Sequence, residues 1–224
     1  MRLIIPWLCF DNIIEEGIIH SISIENPLDF RRVIGAVWEK DQGRDGDIIL
    51  SEKETILGFK DHILCIFNLI DLNANNRRIL TRLYKELNEN AQDVLAEEFS
   101  LLQGTMLSYI EKLTETVPYD LSYNYELDIS DLLKIYDVKL NQLTESYNDQ
   151  LIDYLRAFSR ICNIKTVICV NIKNYMTEKE IIGLQEFIRY EKIRLINIEN
   201  LYSYKVYDEK AWIIDKDRSI IDLN

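Results

Sequence analysis

The chain has 224 residues, of which 47% are hydrophobic and 29% charged, and its formal net charge is −12. With 7 glycines and 3 prolines it has the composition of a folded protein, and its length allows a core without disulfides or a structural metal. The acidic balance argues against nucleic acid as a partner, because phosphate contacts need clustered lysine and arginine.

Four apolar runs in the first third of the chain each predict a strand, and the last two are continuous, which is typical of strands that helices cover on both faces. These runs are 2–8, 18–24, 47–51 and 61–70. After the second run, Asn26 and Pro27 predict the cap and first residue of a helix that continues to about residue 40. Strands of this type indicate a parallel or mixed sheet.

The middle of the chain has a helical period. From Asn75, apolar residues recur every three to five positions, which predicts one helix of about 40 residues that Gly104 bends or interrupts and that ends before Pro118. A second long amphipathic helix is predicted over 144–162 and could pack along the first. Between them, 119–140 predicts a short strand followed by a short helix.

After residue 164 the alternation of strands and helices returns. TVICVNI and RLINI predict strands, the capping box T-E-K-E predicts a helix from Thr177 to Tyr190, and KAWIID predicts a closing hairpin. We therefore expect an α/β head domain formed by 1–80 and 164–224. A mainly helical leg domain would be inserted at 81–163, and its strand–helix segment could return to the head.

Neither a secretion signal nor a membrane span is predicted. Pro6 and Asp11 interrupt the N-terminal apolar run, and no stretch reaches the roughly 20 apolar residues that a membrane helix requires. We expect a cytoplasmic protein. The four cysteines lie in apolar runs without a C-x-x-C pair, which predicts reduced core thiols: Cys9, Cys65, Cys162 and Cys169.

The sequence offers little catalytic chemistry. The turn after 18–24 reads I-E-N-P-L, and neither G-x-x-x-x-G-K-[ST] nor G-x-G-x-x-G occurs, so nucleotide binding is not expected. His20 and His62 are the only histidines, and no predicted strand carries the E-x-K of a nuclease. Binding without catalysis is the simpler hypothesis.

Four carboxylates fall within twelve residues at the predicted strand-to-helix junction: Asp120, Glu126, Asp128 and Asp131. Carboxylate oxygens are the ligands that calcium prefers. The alternative is a helix start, in which Asp128 or Ser130 caps the helix and Asp131 is favoured by its dipole. The sequence leaves both interpretations open.

The charge is unevenly distributed along the chain. Residues 1–85 hold 11 basic and 13 acidic side chains, 86–153 hold 3 and 15, and 154–224 hold 12 and 10. The surplus of acid therefore lies in the predicted leg, and a nearly neutral head could present basic patches to phosphate. Ordinary solvated helix surfaces are the alternative for these patches, which are Arg31 with Arg32, Lys53 with Lys60, the group Arg77, Arg78, Arg82 and Lys85, and the group Arg189, Lys192 and Arg194.

The chain resembles a known protein family over nearly its whole length, and three segments carry the resemblance. They are LIDLNANNRRILTRLYKELNE, ELDISDLLKIYDVKL and the long run from TVICVNIKNYMTEKE to KAWIIDKD. Their sequence and order are similar to those of the CRISPR-associated spacer-acquisition (adaptation) protein of subtype II-A. No single motif in them is catalytic, and the resemblance rests on the co-linear pattern.

The resemblance implies an α/β fold with a P-loop-ATPase-like head lacking the phosphate loop and an inserted long-helix leg domain. It implies a homotetrameric ring that binds the ends of double-stranded DNA without catalysis, is stabilised by Ca²⁺, and acts with the CRISPR integrase complex and the effector nuclease. A metal-dependent nuclease that uses the same carboxylates and a helical protein-interaction scaffold are the alternatives.

The resemblance also assigns residues. It places the calcium ligands at Asp120, Glu126, Asp128 and Asp131, with Ser122 and Asn124 standing where relatives often have acids. The expected DNA contacts are, in order of preference, Lys134, Lys139, Lys53, Lys60, Arg77 and Arg78.

Overall fold

The computed structural model describes residues 1–141 and 146–224. Contacts divide the chain into two compact units, Met1–Ala74 with Gln142–Asn224 and, inserted between them, Asn75–Asn141. We call the first the sheet unit and the second the helical unit. The sequence placed these boundaries after residues 80 and 163, so the second boundary differs by a whole helix.

The strands all belong to the sheet unit. In chain order they are β1 (Arg2–Ile5), β2 (Phe10–Ile13), β3 (Ile19–Ile24), β4 (Ile49–Glu52), β5 (Thr55–Ile56), β6 (Ile63–Ile66), β7 (Thr166–Val170), β8 (Arg194–Glu199), β9 (Lys210–Ile214) and β10 (Ile220–Asp222). The α-helices of both units are α1 (Pro27–Asp41), α2 (Phe59–His62), α3 (Arg77–Asp93), α4 (Ala96–Thr114), α5 (Ile129–Ile135), α6 (Tyr147–Arg160) and α7 (Glu178–Glu191).

Two sheets form the sheet unit. The larger has the order β10-β9-β3-β8-β7-β6, in which β9, β3, β8, β7 and β6 are parallel and β10 runs antiparallel to β9. The smaller is antiparallel, with the order β2-β1-β4-β5. The predicted mixed sheet is confirmed, and the two predicted N-terminal strands lie in different sheets.

One apolar core joins both sheets to α1. Leu3 and Phe10 come from the small sheet, Val33 from α1, and Ile198 and Trp212 from the large sheet, and all five are at most 4% exposed. All six residues of β3 are buried, the polar residues His20, Ser21 and Ser23 included, as expected of a strand that is covered on both faces.

Two predicted helix starts are confirmed in atomic detail. The Asn26 side chain accepts a hydrogen bond from the Leu28 amide, with Pro27 as the first residue of α1. At α7, the Thr177 hydroxyl accepts from the Glu180 amide while the Glu180 carboxylate accepts from the Thr177 amide.

The predicted helix of about 40 residues is wrong, because the segment forms two helices. The chain leaves helical geometry at Leu95, whose φ and ψ are −115° and 34°, and the Asn90 carbonyl accepts from the amides of both Val94 and Leu95. Two glutamates in the first turn favour a new helix start there. Gly104, the predicted interruption, lies inside α4.

One further expectation needs correction, because residues 119–127 form no strand and α5 follows them directly. The helix predicted over 144–162 is α6; its predicted first residues, Thr144 and Glu145, lie outside the described part of the chain. Within the sheet unit, α6 packs against α7, where the Arg160 guanidinium lies 2.5 Å from the Glu191 carboxylate.

The helical unit has little core of its own. Among residues 75–141, all of which are described, Ile79 alone is buried. The unit is closed at its base by Asn75, whose side chain donates to the Leu140 carbonyl at 2.9 Å and accepts from the Leu140 amide at 2.8 Å. The Tyr84 hydroxyl adds a hydrogen bond to the Val138 carbonyl. Local polar contacts therefore hold its two ends together.

Candidate nucleic-acid interface

The two preferred DNA contacts both belong to the helical unit, and each already has an acidic neighbour. The Lys134 ammonium on α5 lies 2.8 Å from the Asp131 carboxylate, and this hydrogen bond raises the pKa of Lys134. Lys139, just beyond α5, pairs with Asp137. All four side chains are exposed, so a phosphate would have to compete with these carboxylates for the lysines.

Lys53 and Lys60 belong to the sheet unit. Lys53 is exposed at the tip of the β4–β5 hairpin, where it and Glu54 both have positive φ, +48° and +67°. Two such residues in a two-residue loop match the backbone of a type I′ turn, which is favoured in hairpins although these residue types are unusual in it. Lys60 is exposed on the short helix α2. The turn thus projects Lys53 away from the sheet.

Arg77 and Arg78 are the first two residues of α3, whose cap is Asn76. Cations at a helix N-terminus are disfavoured by the helix dipole, and Arg82 follows Arg78 at the i,i+4 spacing where like charges repel. Lys85 extends this cationic start of α3 and forms an exposed ion pair with Glu89. The helix dipole and the i,i+4 spacing therefore do not account for the arrangement.

Dividing the charge by structural unit changes the expectation of a neutral head. The sheet unit holds 19 basic and 26 acidic residues, a net charge of −7, and the helical unit holds 7 and 12, a net charge of −5. Both units are acidic, because α6 and the acidic residues before it group with the sheet. Any DNA contact must rest on local clusters such as the start of α3.

The four predicted calcium ligands do not form a site in this arrangement. Asp128 caps α5 through a 2.7 Å hydrogen bond from the Ser130 amide, and Asp131 is held by Lys134. Asp120 and Glu126 lie exposed in the irregular segment before the helix. Within the described residues, no three His, Cys, Asp or Glu side chains are arranged to hold a metal ion. The residue types suit calcium, but their geometry does not.

The turn between β3 and α1 has no phosphate cradle. Its helix begins with Pro27, which has no amide hydrogen, and the next amide donates to the Asn26 side chain. Asp29, only 3% exposed, pairs with Arg218 at 2.8 Å. Of the first two amide positions of α1, one therefore has no hydrogen and the other is engaged by the cap, and the buried Asp29 carboxylate disfavours an anion beside them.

A buried polar network between β7 and β8 was not predicted from the sequence. The Asn197 amide donates to the Glu199 carboxylate at 2.7 Å, and Glu199 also accepts from the Lys173 backbone amide. Burial raises the pKa of Glu199. The signal was the polar pair N-x-E inside an otherwise apolar strand. Because these groups satisfy one another, they fix the turn after β7.

These features define a mixed-sheet α/β protein with an inserted helical unit. The family model described as CRISPR-associated protein (Cas_Csn2) matches residues 40–218, about four fifths of the chain. The chain belongs to this family, which confirms the resemblance to the subtype II-A protein. No described helix has both the length and the apolarity required to cross a membrane.

Individual relatives are distant. The CRISPR-associated protein Csn2 of Streptococcus agalactiae is 22% identical over 164 residues, which cover 72% of each chain. Among solved structures, the ADP conformation of MJ1267, an ATP-binding cassette of an ABC transporter, has a TM-score of 0.45. It is 11% identical, and the match covers 91% of this chain and 79% of that one.

Proposed function

We propose that this protein binds the ends of double-stranded DNA as a homotetrameric ring and supports CRISPR spacer acquisition in the cytoplasm without catalysing a reaction. It would act alongside the CRISPR integrase complex and the effector nuclease. Family membership supports the CRISPR role. The observation that carries DNA binding is the cationic start of α3, where four basic residues fall within the first nine positions.

The start of α3 is suited to phosphate by its charge. Its arginines and lysine supply four positive charges, and these side chains would make the contacts because the amides of Arg78 and Ile79 already donate to the Asn76 side chain. The charges that destabilise the isolated helix would be neutralised by DNA. Such contacts read the backbone and not the bases, so binding should be independent of sequence and fall steeply with salt.

The sheet unit supports a P-loop-ATPase-like head that lacks the phosphate loop. In the large sheet, β3 lies between β8 and β9, so the β3–α1 turn falls at the point where the strand order reverses. Open α/β sheets bind ligands at such a point. In this chain Pro27, the Asn26 cap and the Asp29–Arg218 pair leave no cradle there, which supports a head without nucleotide chemistry.

Oligomer formation is supported by the helical unit. A unit with one buried residue and many exposed apolar side chains, among them Leu101, Tyr109 and Leu113 on α4, has apolar surface that its own chain does not cover. The same surface favours the second candidate, a protein-interaction scaffold, if no DNA is bound. A ring would account for both the cationic clusters and the apolar surface.

Calcium is part of the proposal only as a stabilising ion. Because the carboxylates of Asp120, Glu126, Asp128 and Asp131 do not converge, a calcium site would require the segment before α5 to rearrange and Asp131 to release Lys134. We therefore assign no step of DNA binding to the ion.

One experiment separates the hypotheses. Linear and covalently closed DNA of equal length are incubated with the protein, with calcium or a chelator, and examined by gel shift and for integrity with magnesium or manganese. We expect a shift of linear DNA only and no cleavage. Equal binding to closed circles would contradict end binding, cleavage products would identify a nuclease, and no shift in any condition would leave the scaffold.

A further inference from the structure

The segment that follows α5 is held against α3 at two points. The Tyr84 hydroxyl on α3 donates to the Val138 carbonyl at 2.8 Å. Both backbone groups of Leu140 bond to the side chain of Asn75, which lies just before the cap of α3. Because its neighbours on either side are fixed in this way, Lys139 lies beside the first turns of α3.

Side-chain exposure alternates along this segment. Val138 and Leu140 are half-buried, whereas Lys139 between them is exposed, with 54% of its side chain open to solvent. The backbone of Lys139 is therefore fixed while its ammonium can reach an external anion. A lysine whose backbone is already ordered loses less conformational freedom on binding than one on a free loop.

The side of α3 that contacts this segment also carries a cation. Tyr84 follows Arg77 by seven residues, which places the two about 20° apart around the helix and about 10 Å apart along it. Arg77 and Arg82 are exposed, and among the described residues neither takes part in an ion pair. The helical unit therefore brings Lys139 to the same side of α3 as Arg77, although the two are distant in the chain.

Asp137 places a carboxylate next to Lys139 at a position where aspartate is uncommon. The last turn of α5 is a Schellman motif, in which the Asp137 amide donates to the Lys134 carbonyl at 3.1 Å. The Val138 amide donates to the Leu133 carbonyl at 2.9 Å. Asp137 has a φ of +47°, in the left-handed region where glycine is usual and asparagine the next choice. The turn does not require a charge there, yet the carboxylate pairs with the Lys139 ammonium.

We propose that Lys139 and the cationic start of α3 form one phosphate-binding surface, with Tyr84 and Asn75 as its positioning residues. Asp137 is an internal anion that holds the Lys139 ammonium and that a DNA phosphate displaces. The inference rests on the proposed function and deepens it, because it joins two groups that the sequence identified separately and names the contact that restrains them.

Replacement of Asp137 tests the internal anion. Asparagine adopts the same left-handed conformation without a charge, so the turn is kept while Lys139 is released. We expect Asp137→Asn to bind linear DNA about threefold more tightly than wild type in a gel-shift titration. Asp93→Asn removes the same charge from the far end of α3, so it is the matched control and should keep the wild-type affinity. Equal affinities of these two variants would overturn the role of Asp137.

Tyr84→Phe tests the positioning, because it removes one hydroxyl and keeps the ring. Lys139→Gln should weaken DNA binding about fivefold and lower the salt slope by about 1, whereas Lys139→Arg keeps the charge and should keep the affinity. Tyr84→Phe alone should weaken binding by a smaller factor. Since Tyr84 acts through Lys139, adding Tyr84→Phe to Lys139→Gln should cause no further loss. Tyr109→Phe, at an exposed tyrosine of α4, is the control and should bind like wild type.

A purely structural role of Tyr84 gives a different result. The losses from Tyr84→Phe and Lys139→Gln would then add, which would overturn the positioning role. Hydrogen exchange of the Leu140 amide, measured without DNA, should be faster in Tyr84→Phe, and an unchanged rate would also contradict the clamp.

Failure of this inference is distinct from failure of the proposed function. DNA binding that responds to Arg77→Gln with Arg82→Gln, but to no variant of Lys139, Tyr84 or Asp137, contradicts only the inference. A wild-type protein that binds no DNA contradicts the proposed function, and the inference with it.

Discussion

The Lys173 ammonium lies 2.6 Å from the Glu209 carboxylate, with both side chains nearly excluded from solvent at 4% and 0% exposure. The ammonium also donates to the Tyr204 carbonyl at 2.6 Å and lies 4.9 Å from the centre of the Tyr204 ring. The second oxygen of Glu209 accepts from the Val206 amide. This pair connects the turn after β7 with the segment that leads into β9.

Breaking this buried pair should destabilise the sheet unit strongly. Glu209→Gln leaves the Lys173 charge buried without its counter-ion, and removal of one partner of such a pair costs about 3–5 kcal/mol. Urea unfolding measures the loss. Lys85→Met, which removes one partner of the exposed pair with Glu89, is the control and should hardly move the midpoint. A Glu209→Gln variant as stable as wild type would contradict this role.

His20 should make the protein less stable in mild acid. It is fully buried against Trp212, and burial lowers its pKa from 6.5 to about 4. Below pH 6.5 the unfolded chain takes up a proton that the folded chain refuses, so stability is complete above that pH and declines as pH falls toward 4. A pKa shift of this size corresponds to a loss of about 3 kcal/mol in the free energy of unfolding.

The histidine effect is measured by comparing wild type with His20→Gln, in urea, at pH 7 and pH 4.5. Wild type should lose more stability between these two conditions than the variant. His62→Gln, at an exposed histidine, should behave like wild type. Identical pH dependence of wild type and His20→Gln would show that His20 is not buried as described.

The cationic start of α3 should contribute to DNA affinity without stabilising the fold. Arg77→Gln with Arg82→Gln should weaken binding of linear DNA about tenfold or more and lower the salt slope by about 2. Because these charges oppose the helix dipole, the melting temperature should not fall. Arg44→Gln, at an exposed arginine paired with Glu39, is the control. Unchanged affinity and slope would exclude this surface.

Asp128 can be assigned as a helix cap or as a metal ligand by two substitutions. Asparagine also caps helices, so Asp128→Asn should keep the stability of the helical unit, whereas Asp128→Ala should lose about 1 kcal/mol. Thermal unfolding is compared with calcium and with a chelator. If Asp128→Asn instead abolishes a calcium-dependent rise in melting temperature, the carboxylate is a ligand and the cap is secondary.

Thiol reactivity should differ between the cysteines. Cys9 is exposed, which corrects the expectation of four core thiols, whereas burial raises the pKa of Cys169 to about 12. A thiol reagent should modify Cys9 in the native protein and Cys169 only after unfolding. Mass spectrometry of the labelled peptides distinguishes them, and rapid native labelling of Cys169 would contradict its burial.

Local rules predicted much of the sheet unit. Asn26 with Pro27, and Thr177 with Glu180, identify their helices because capping depends on neighbouring residues alone. The break at Leu95 escaped prediction because the apolar period continues through it, so periodicity cannot distinguish one helix from two. The placement of α6 escaped for a different reason, since an amphipathic helix does not reveal which surface covers it.

The candidate site was less predictable than the fold. The sequence grouped Asp120 with Asp131 by proximity along the chain, but an irregular segment does not bring such residues into one coordination sphere. It also paired Lys134 with phosphate, although Asp131 three residues earlier is the nearer partner. Arg77 and Arg78 stay predicted DNA contacts, and their unfavourable position in the helix became evident only when the first residue of α3 was located.

The double hydrogen bond between Asn75 and Leu140 has an evolutionary consequence. The Asn75 side chain, at the start of the inserted segment, is bonded to the backbone of Leu140 near its end. The two ends of the segment therefore stay adjacent whatever lies between them. Longer or shorter helices there change only a loop-closure entropy that grows slowly with length. The length of the insertion can therefore change without disturbing the point at which it joins the sheet unit.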